Sequence, residues 1–193
     1  MTRGTTPKVY GDYDITVIRS GDLNGRWLNK DSLLKTKNNK EIFFLNKNDV
    51  LISSIGFGSI GKIDIFYSEE NYSTVSEVTV LRKLKVNPFY LSEYLKTKFG
   101  QAFIEKGITG ATGQLHLNKG SIKELPIPIF SIQLENEIEE IVKRSYHLIY
   151  SSKSKYAEAE ATLLDEVDLR NWRPTETSIE IKTFKRSFYK LHA

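Results

Sequence analysis

The chain contains no cysteine. Disulfides, thiolate-bound zinc and a cysteine nucleophile are thereby excluded. Histidine is nearly as scarce, and His116, His147 and His192 lie so far apart in sequence that an imidazole-based metal site is not expected. Long apolar runs are missing as well: no stretch approaches the roughly 18 residues that read as a membrane-spanning helix. The opening segment MTRGTTPKVYGDYD lacks the apolar core of a secretory signal. A cytoplasmic protein with no membrane contact is expected.

Also missing from the first 86 residues is any alternation of strand and helix patterns. Instead, YDITVIRS (13–20), EIFFLN (41–46), DVLISSIG (49–56), IGKIDIFYS (60–68) and EVTVLRKL (77–84) follow one another. Each is rich in β-branched and aromatic residues and is bounded by Gly, Asn, Asp or Ser. Five such runs without crossover helices predict an α+β domain with a mixed, largely antiparallel sheet, not a doubly wound nucleotide-binding one. The period then changes. Asn87 and Pro88 supply an N-cap and a first helical residue, Phe89, Leu91, Tyr94, Leu95 and Phe99 follow at helical spacing, and Gly100 is expected to break or kink the helix before QAFIEK. In ELPIPIF two prolines permit only an edge strand or an irregular extended segment.

From Ser131 to about Leu169 the pattern is helical without an internal Pro or Gly. About 38 residues at a rise of 1.5 Å make a rod of about 57 Å, more than a small domain requires. Leu134, Ile138, Ile141, Ser145, Leu148, Ser152, Tyr156, Ala159 and Leu163 recur at spacings of three or four. That is a coiled-coil seam with small or polar residues at its middle, and it predicts a partner helix. Three segments result: a domain at 1–130, a long spacer or dimerisation helix at 131–170, and a stretch at 171–193. The last has no cap and no tail composition, and it is expected to be a C-terminal strand segment or the lead-in to a missing second half.

Charge divides along the same lines. Residues 1–130 hold 18 Lys or Arg against 13 Asp or Glu, whereas 131–170 hold 5 against 9. A basic front domain suits a polyanion, since every phosphate neutralised releases condensed counterions.

Enzyme readings fare poorly. In GITGATGQ, Gly107 and Gly113 have the spacing of a phosphate-binding loop, but Gln114 stands where lysine is required. The loop also follows a helix and precedes an LHL strand, the reverse of the order that puts phosphate at a helix N-terminus. GFGSIG at 56–61 matches GxGxxG, but IDIFYS follows it as a strand, so its glycines read as shaping a hairpin turn. Glu180-Ile-Lys182 has the outline of a nuclease motif, without carboxylates placed to complete a metal site. No metal site and no catalytic group are expected.

Taken in order, TRGTTPK, IRSGDLNGRW, NDVLISSIGFGSIGKI, VNPFYLSEYLKTKFGQAFI, GATGQLHLNKGSIKELPIPI and IQLENEIEEIV resemble the specificity subunit of type I restriction-modification systems. The resemblance covers nearly all of 1–170. It implies one half-repeat, a target recognition domain followed by a spacer helix, which reads one half of a bipartite sequence in double-stranded DNA. Family helices pack antiparallel in pairs, so self-association or a second half-repeat is implied. So is docking of methyltransferase subunits that use S-adenosylmethionine, joined by restriction subunits that use ATP and magnesium. This chain itself is expected to hold no cofactor. The competing reading is a non-catalytic coiled-coil scaffold that binds nucleic acid without sequence preference.

Base edges are read by Arg, Lys, Asn and Gln, and phosphates are held by Ser, Thr, Lys, Arg and backbone N–H groups. In the family-matched segments the residues that qualify are Arg3, Thr5, Thr6 and Lys8; then Arg19, Ser20, Asn24 and Arg26; then Thr112, Gln114, His116 and Lys119. Ser53, Ser54 and Lys62 flank a fourth segment. Trp27 is expected to pack.

Overall fold

The computed structural model describes residues 1–25, 28, 32–111 and 115–171. They fall into two units, divided between His147 and Leu148. Seven strands build the two main sheets of the first unit. β1 (Thr2–Arg3), β4 (Val50–Ser53), β5 (Ile63–Ile65) and β7 (Val78–Leu81) form an antiparallel sheet in the order β1-β7-β4-β5. β2 (Tyr10–Ile18), β3 (Leu34–Thr36) and β6 (Tyr72–Thr74) form the other, with β2 antiparallel to β3 and parallel to β6. An α+β fold with mixed, mainly antiparallel sheets is what the strand-rich front of the sequence predicts.

Period-two patterning explains how the layers stack. In β4, Leu51 joins a core with Val17, Ile18, Phe66, Tyr72, Val78 and Val80. Its neighbours Val50 and Ile52 face the opposite way, into a core with Ile63, Leu81, Leu91, Leu95, Ile104 and Leu117. The four-stranded sheet is thus buried on both faces, by the second sheet on one side and by helices α1 (Pro88–Lys96) and α2 (Lys98–Lys106) on the other. Each fully buried Leu, Ile, Val or Phe side chain stabilises this arrangement by about 1.5–3 kcal/mol. At the rim of the sheet the buried Asp49 accepts from Arg82 Nε (2.8 Å) and Nη2 (2.6 Å) and from the Asn46 backbone N–H (2.8 Å). The pair closes the turn that leads into β4.

The helices begin as their caps dictate. The Asn87 side chain accepts from the N–H groups of Phe89 and Tyr90, with Pro88 at the first position. The break, however, comes at Thr97 and not at Gly100. The Thr97 hydroxyl donates to the Tyr94 carbonyl (2.7 Å) and accepts from the Gly100 N–H (3.2 Å), ending α1 and starting α2 in one residue. Gly100 serves a close approach instead, since a Cβ there would lie 2.5 Å from the Tyr94 carbonyl oxygen. The run 41–46 also departs from expectation. It forms only an isolated bridge, Phe44 with Ser73, because the turn at Asn39 and the turn into Asp49 leave too few residues to extend.

Beyond α2, β8 (Ile108–Thr109) pairs with β9 (His116–Leu117), and a short helix α3 (Lys119–Lys123) follows. The ELPIPIF segment is extended without joining a sheet. It is strapped to α1 by two tyrosines one turn apart, Tyr90 donating to the Pro128 carbonyl (2.7 Å) and Tyr94 to that of Pro126 (2.9 Å).

Helix α4 (Ile132–Glu166) starts at Ser131, whose hydroxyl accepts from the Leu134 N–H (3.3 Å). Its first turns pack on the first unit through one face. The Asn87 backbone N–H donates to Glu135 (2.8 Å), which is buried, and the Asn87 side-chain amide donates to Glu139. Lys143 pairs with Glu139 (2.6 Å) and lies over the Phe89 ring, while Tyr146 meets Tyr67. In the second unit the helix ends in a Schellman arrangement. Asp168 is left-handed at φ 54°, its N–H reaches the Asp165 carbonyl (3.1 Å), and that of Leu169 reaches the Leu164 carbonyl (2.8 Å). Residues 172–193, with the β-prone run TSIEIKTFKR and the Glu180-Ile-Lys182 triplet, lie outside the described residues.

Candidate nucleic-acid interface

Several of the predicted contact segments meet at the end of β4. The backbone there is fully used: the Ser54 N–H donates to the Glu77 carbonyl (2.8 Å), the Ser54 carbonyl accepts from Leu117 (2.8 Å), and the Ser53 carbonyl accepts from Gly61 (2.8 Å). Ile55 bridges His116. These bonds draw the loop 54–62, the hairpin β8–β9 and the 75–77 turn together. Thr6 joins them, its hydroxyl 2.8 Å from that of Ser76 and 3.3 Å from the Glu77 carboxylate. The 19–24 turn arrives from the other sheet, and the Ser20 hydroxyl lies 3.8 Å from where a Cβ on Gly56 would be.

The predicted residues do not all share one role. Ser53 and Ser54, expected to flank a DNA-facing loop, are fully buried. Ser54 donates to the Ile52 carbonyl and bonds Thr79, and Ser53 sits 3.4 Å from the Ser59 hydroxyl, so these hydroxyls are consumed inside the domain. They fix the loop and do not reach out of it. Arg19 is half-committed: its guanidinium donates to Asp22 twice, at 3.0 and 2.9 Å, and this hydrogen bonding holds it more firmly protonated than a free arginine. Lys8 is exposed and forms a solvent-facing pair with Glu41 at 3.2 Å. Thr5, Asn24, Lys62 and Lys119 are exposed, whereas Arg3, Ser20 and His116 are partly buried. Arg26, Trp27, Thr112 and Gln114 lie outside the described residues.

Sequence reasoning missed Tyr10, whose phenol is pushed up by burial and feels the opposed charges of Arg19 and Glu77. It also missed Asp64. This carboxylate, 1% exposed, accepts from the backbone N–H groups of Asn24 (2.9 Å) and Gly25 (3.2 Å) through one oxygen, while its other oxygen has no hydrogen-bond partner among the described residues. It clasps the loop that leads to Arg26, with Gly25 at φ 78°. Beside it a pocket of about 250 Å³ is lined by Asn24, Gly25, Gly61, Lys62, Lys96 and Gln101. Burial raises the Asp64 pKa, and the two backbone hydrogen bonds and Lys96 offset it only in part. The only hint in the sequence is a charged residue inside the otherwise apolar IDIF. Among the described residues, no group of three or more His, Asp or Glu is placed to hold a metal ion.

On α4 the expected seam divides. Ile138 is half-buried, whereas Leu134, Ile141, Leu148, Tyr156, Ala159 and Leu163 are exposed, on a different face from Glu135, Glu139 and Tyr146. No described helix is long and apolar enough to cross a membrane.

Comparison with protein-family models matches residues 2–161 to the family described as type I restriction modification DNA specificity domain. No curated protein matches the chain at a significant level.

Removing the Asp64 clasp tests its part in the interface. Asp64→Ala should lower the unfolding free energy by about 2–4 kcal/mol, since two backbone donors lose their acceptor. Because the folded pKa lies above the ordinary value, the stability linked to Asp64 is present below the usual carboxylate range and is lost as pH rises through the folded value. Urea denaturation between pH 4 and 7 should therefore show Asp64→Asn gaining on the wild type as pH rises. A constant difference would contradict the shift.

Proposed function

Because the chain belongs to the type I restriction modification DNA specificity domain family, we propose that it reads one half of a bipartite DNA target. The reading surface is the end of the first unit where residues 5–8, 19–25, 54–62, 110–111 and 115–116 gather. The observation that carries this is the hydrogen-bonded convergence at Ser54 and Ile55, which links loops far apart in sequence. Such a cluster on a rigid double-faced sheet is what base readout requires, since a reader must hold several side chains in one register along the groove.

Catalysis belongs to partners in this reading. Methyltransferase subunits bring S-adenosylmethionine, restriction subunits bring ATP and magnesium, and this chain holds no cofactor of its own. The acidic face of α4 near Glu135 and Glu139 is occupied by the domain. The separate exposed face at Ile141, Leu148, Tyr156 and Leu163 is then free for a second spacer helix, from a second half-repeat or another copy of the chain, and for docking a methyltransferase subunit.

Two measurements test the proposal. In competition binding, a duplex carrying the selected target should bind about a hundredfold or more tightly than a scrambled one, and both affinities should fall as salt rises. Arg26→Ala or Gln114→Ala should cost about tenfold on the target and leave thermal unfolding unchanged. Equal affinity for target and scrambled duplexes would favour a non-specific scaffold. Sedimentation equilibrium at high protein concentration should show self-association that Ile141→Glu or Leu148→Glu abolishes. A wild-type chain that stays monomeric would count against helix pairing in the isolated chain.

A further inference from the structure

Among the described residues of the first unit, the most exposed aromatic ring stands on one of the gathered loops. Phe57 is 84% exposed, at the tip of the turn between β4 and β5. Glycines on either side free the backbone: Gly56 is at φ 129° and Gly58 at φ 76°, and nothing lies within 4 Å of where a Gly58 Cβ would be. The tip is slim, but its base is held. Ile60 N–H donates to the Gly56 carbonyl (3.3 Å), Lys62 to Ser59 (3.1 Å), Gly61 to Ser53 (2.8 Å) and Ser53 to Lys62 (2.9 Å). A Cβ on Gly56 would lie 2.7 Å from the Ser59 hydroxyl, which would have to move, and φ 129° disfavours a side chain there in any case.

A phenylalanine in this position does nothing for the fold. It belongs to neither core, and no ring partner meets it among the described residues. Water meets most of its apolar surface, an arrangement that marks a contact site more often than a structural one when the ring projects from a braced loop. Phe99 and Phe103, also exposed, differ in this respect, each lying beneath a lysine ammonium, Lys98 and Lys106. Around Phe57 the neighbours are of another kind. Ser20 approaches Gly56, Ile55 bridges His116, and Lys62 ends the same turn. An apolar projection thus shares its loop with polar and cationic residues, the composition of a surface that meets both bases and phosphates.

We propose that Phe57 is a specificity-determining residue that enters the duplex from the 54–62 loop and makes an apolar contact with the bases. The inference rests on the DNA-reading function proposed above and deepens it. A ring adds no charge and releases no counterion, so its contribution is separable from that of lysine and arginine. Apolar side chains discriminate by meeting a thymine methyl or by wedging into a base step that unstacks readily, and both depend on sequence.

The test compares the chain with Phe57→Ala and Phe57→Leu on a target duplex obtained by selection from a randomised core and on a scrambled duplex, across a salt series. Phe57→Ala should lose about tenfold on the target and little on the scrambled duplex, so that the specificity ratio falls. The slope of log affinity against log salt should not change, and Phe57→Leu should recover part of the loss. Thermal unfolding should be the same in all three proteins, because the ring packs on nothing. An unchanged affinity of Phe57→Ala for the target overturns the inference while leaving the DNA-reading function standing. An equal loss on both duplexes, or a shallower salt slope, also overturns it. A wild-type chain without preference for any selected duplex overturns the function and the inference together.

Discussion

Everything at the interface depends on β4 being buried on both faces. Leu51 points to one core while Val50 and Ile52 point to the other. A strand so enclosed cannot slip register, because a shift of one residue would exchange the two cores and leave polar Ser53 among apolar neighbours. Its end is thereby a fixed point, and the chain uses the backbone there as a hub. Carbonyls and N–H groups of Ser53 and Ser54 receive the 75–77 turn, the β8–β9 hairpin and the return of their own loop. Side-chain hydroxyls that could have faced solvent are spent on holding that hub together. The loops are short-range in geometry and long-range in sequence, and contacts of this kind let a small domain present a preorganised surface.

A second fixed point lies at Asn87. One residue caps α1 with its side-chain oxygen and donates its backbone N–H to Glu135 and its side-chain amide to Glu139. The carboxylates sit where the α1 dipole is positive, and Lys143 holds the Glu139 carboxyl below its ordinary value. The first turns of α4 are therefore part of the DNA-reading unit.

Much of this was legible in the sequence, and the rest was hidden for physical reasons. Asn87-Pro88 and Ser131 announce helix starts because cap chemistry is local. The glycines of GFGSIG announce a turn because positive φ is local too, and the structure places three of them there at φ 129°, 76° and 83°. The break at Thr97 was not legible: a threonine that serves two helices at once is recognised only when both are present, and Gly100 is the louder signal. β1, β3 and β6 are each two or three residues long, too short for a period to show, and they exist because longer strands recruit them. Ser53 and Ser54 read as loop residues by type, yet the neighbours that bury them come from positions 59 and 79. Asp64 is the same case with a charge. Its function is set by the Asn24 and Gly25 backbone, forty residues away in sequence. Phe57 carries no signal in the sequence, because its exposure at the tip of a braced turn exists only once β4 and β5 are paired.

A DNA specificity domain should distinguish one DNA sequence from another. Selection answers that most directly: the purified chain is mixed with duplexes carrying a randomised core at physiological salt, bound duplexes are recovered, and the enriched sequences are read. A reader should enrich one short motif at fixed positions over successive rounds. Recovered duplexes as diverse as the starting pool, despite strong binding, would contradict sequence recognition by this domain.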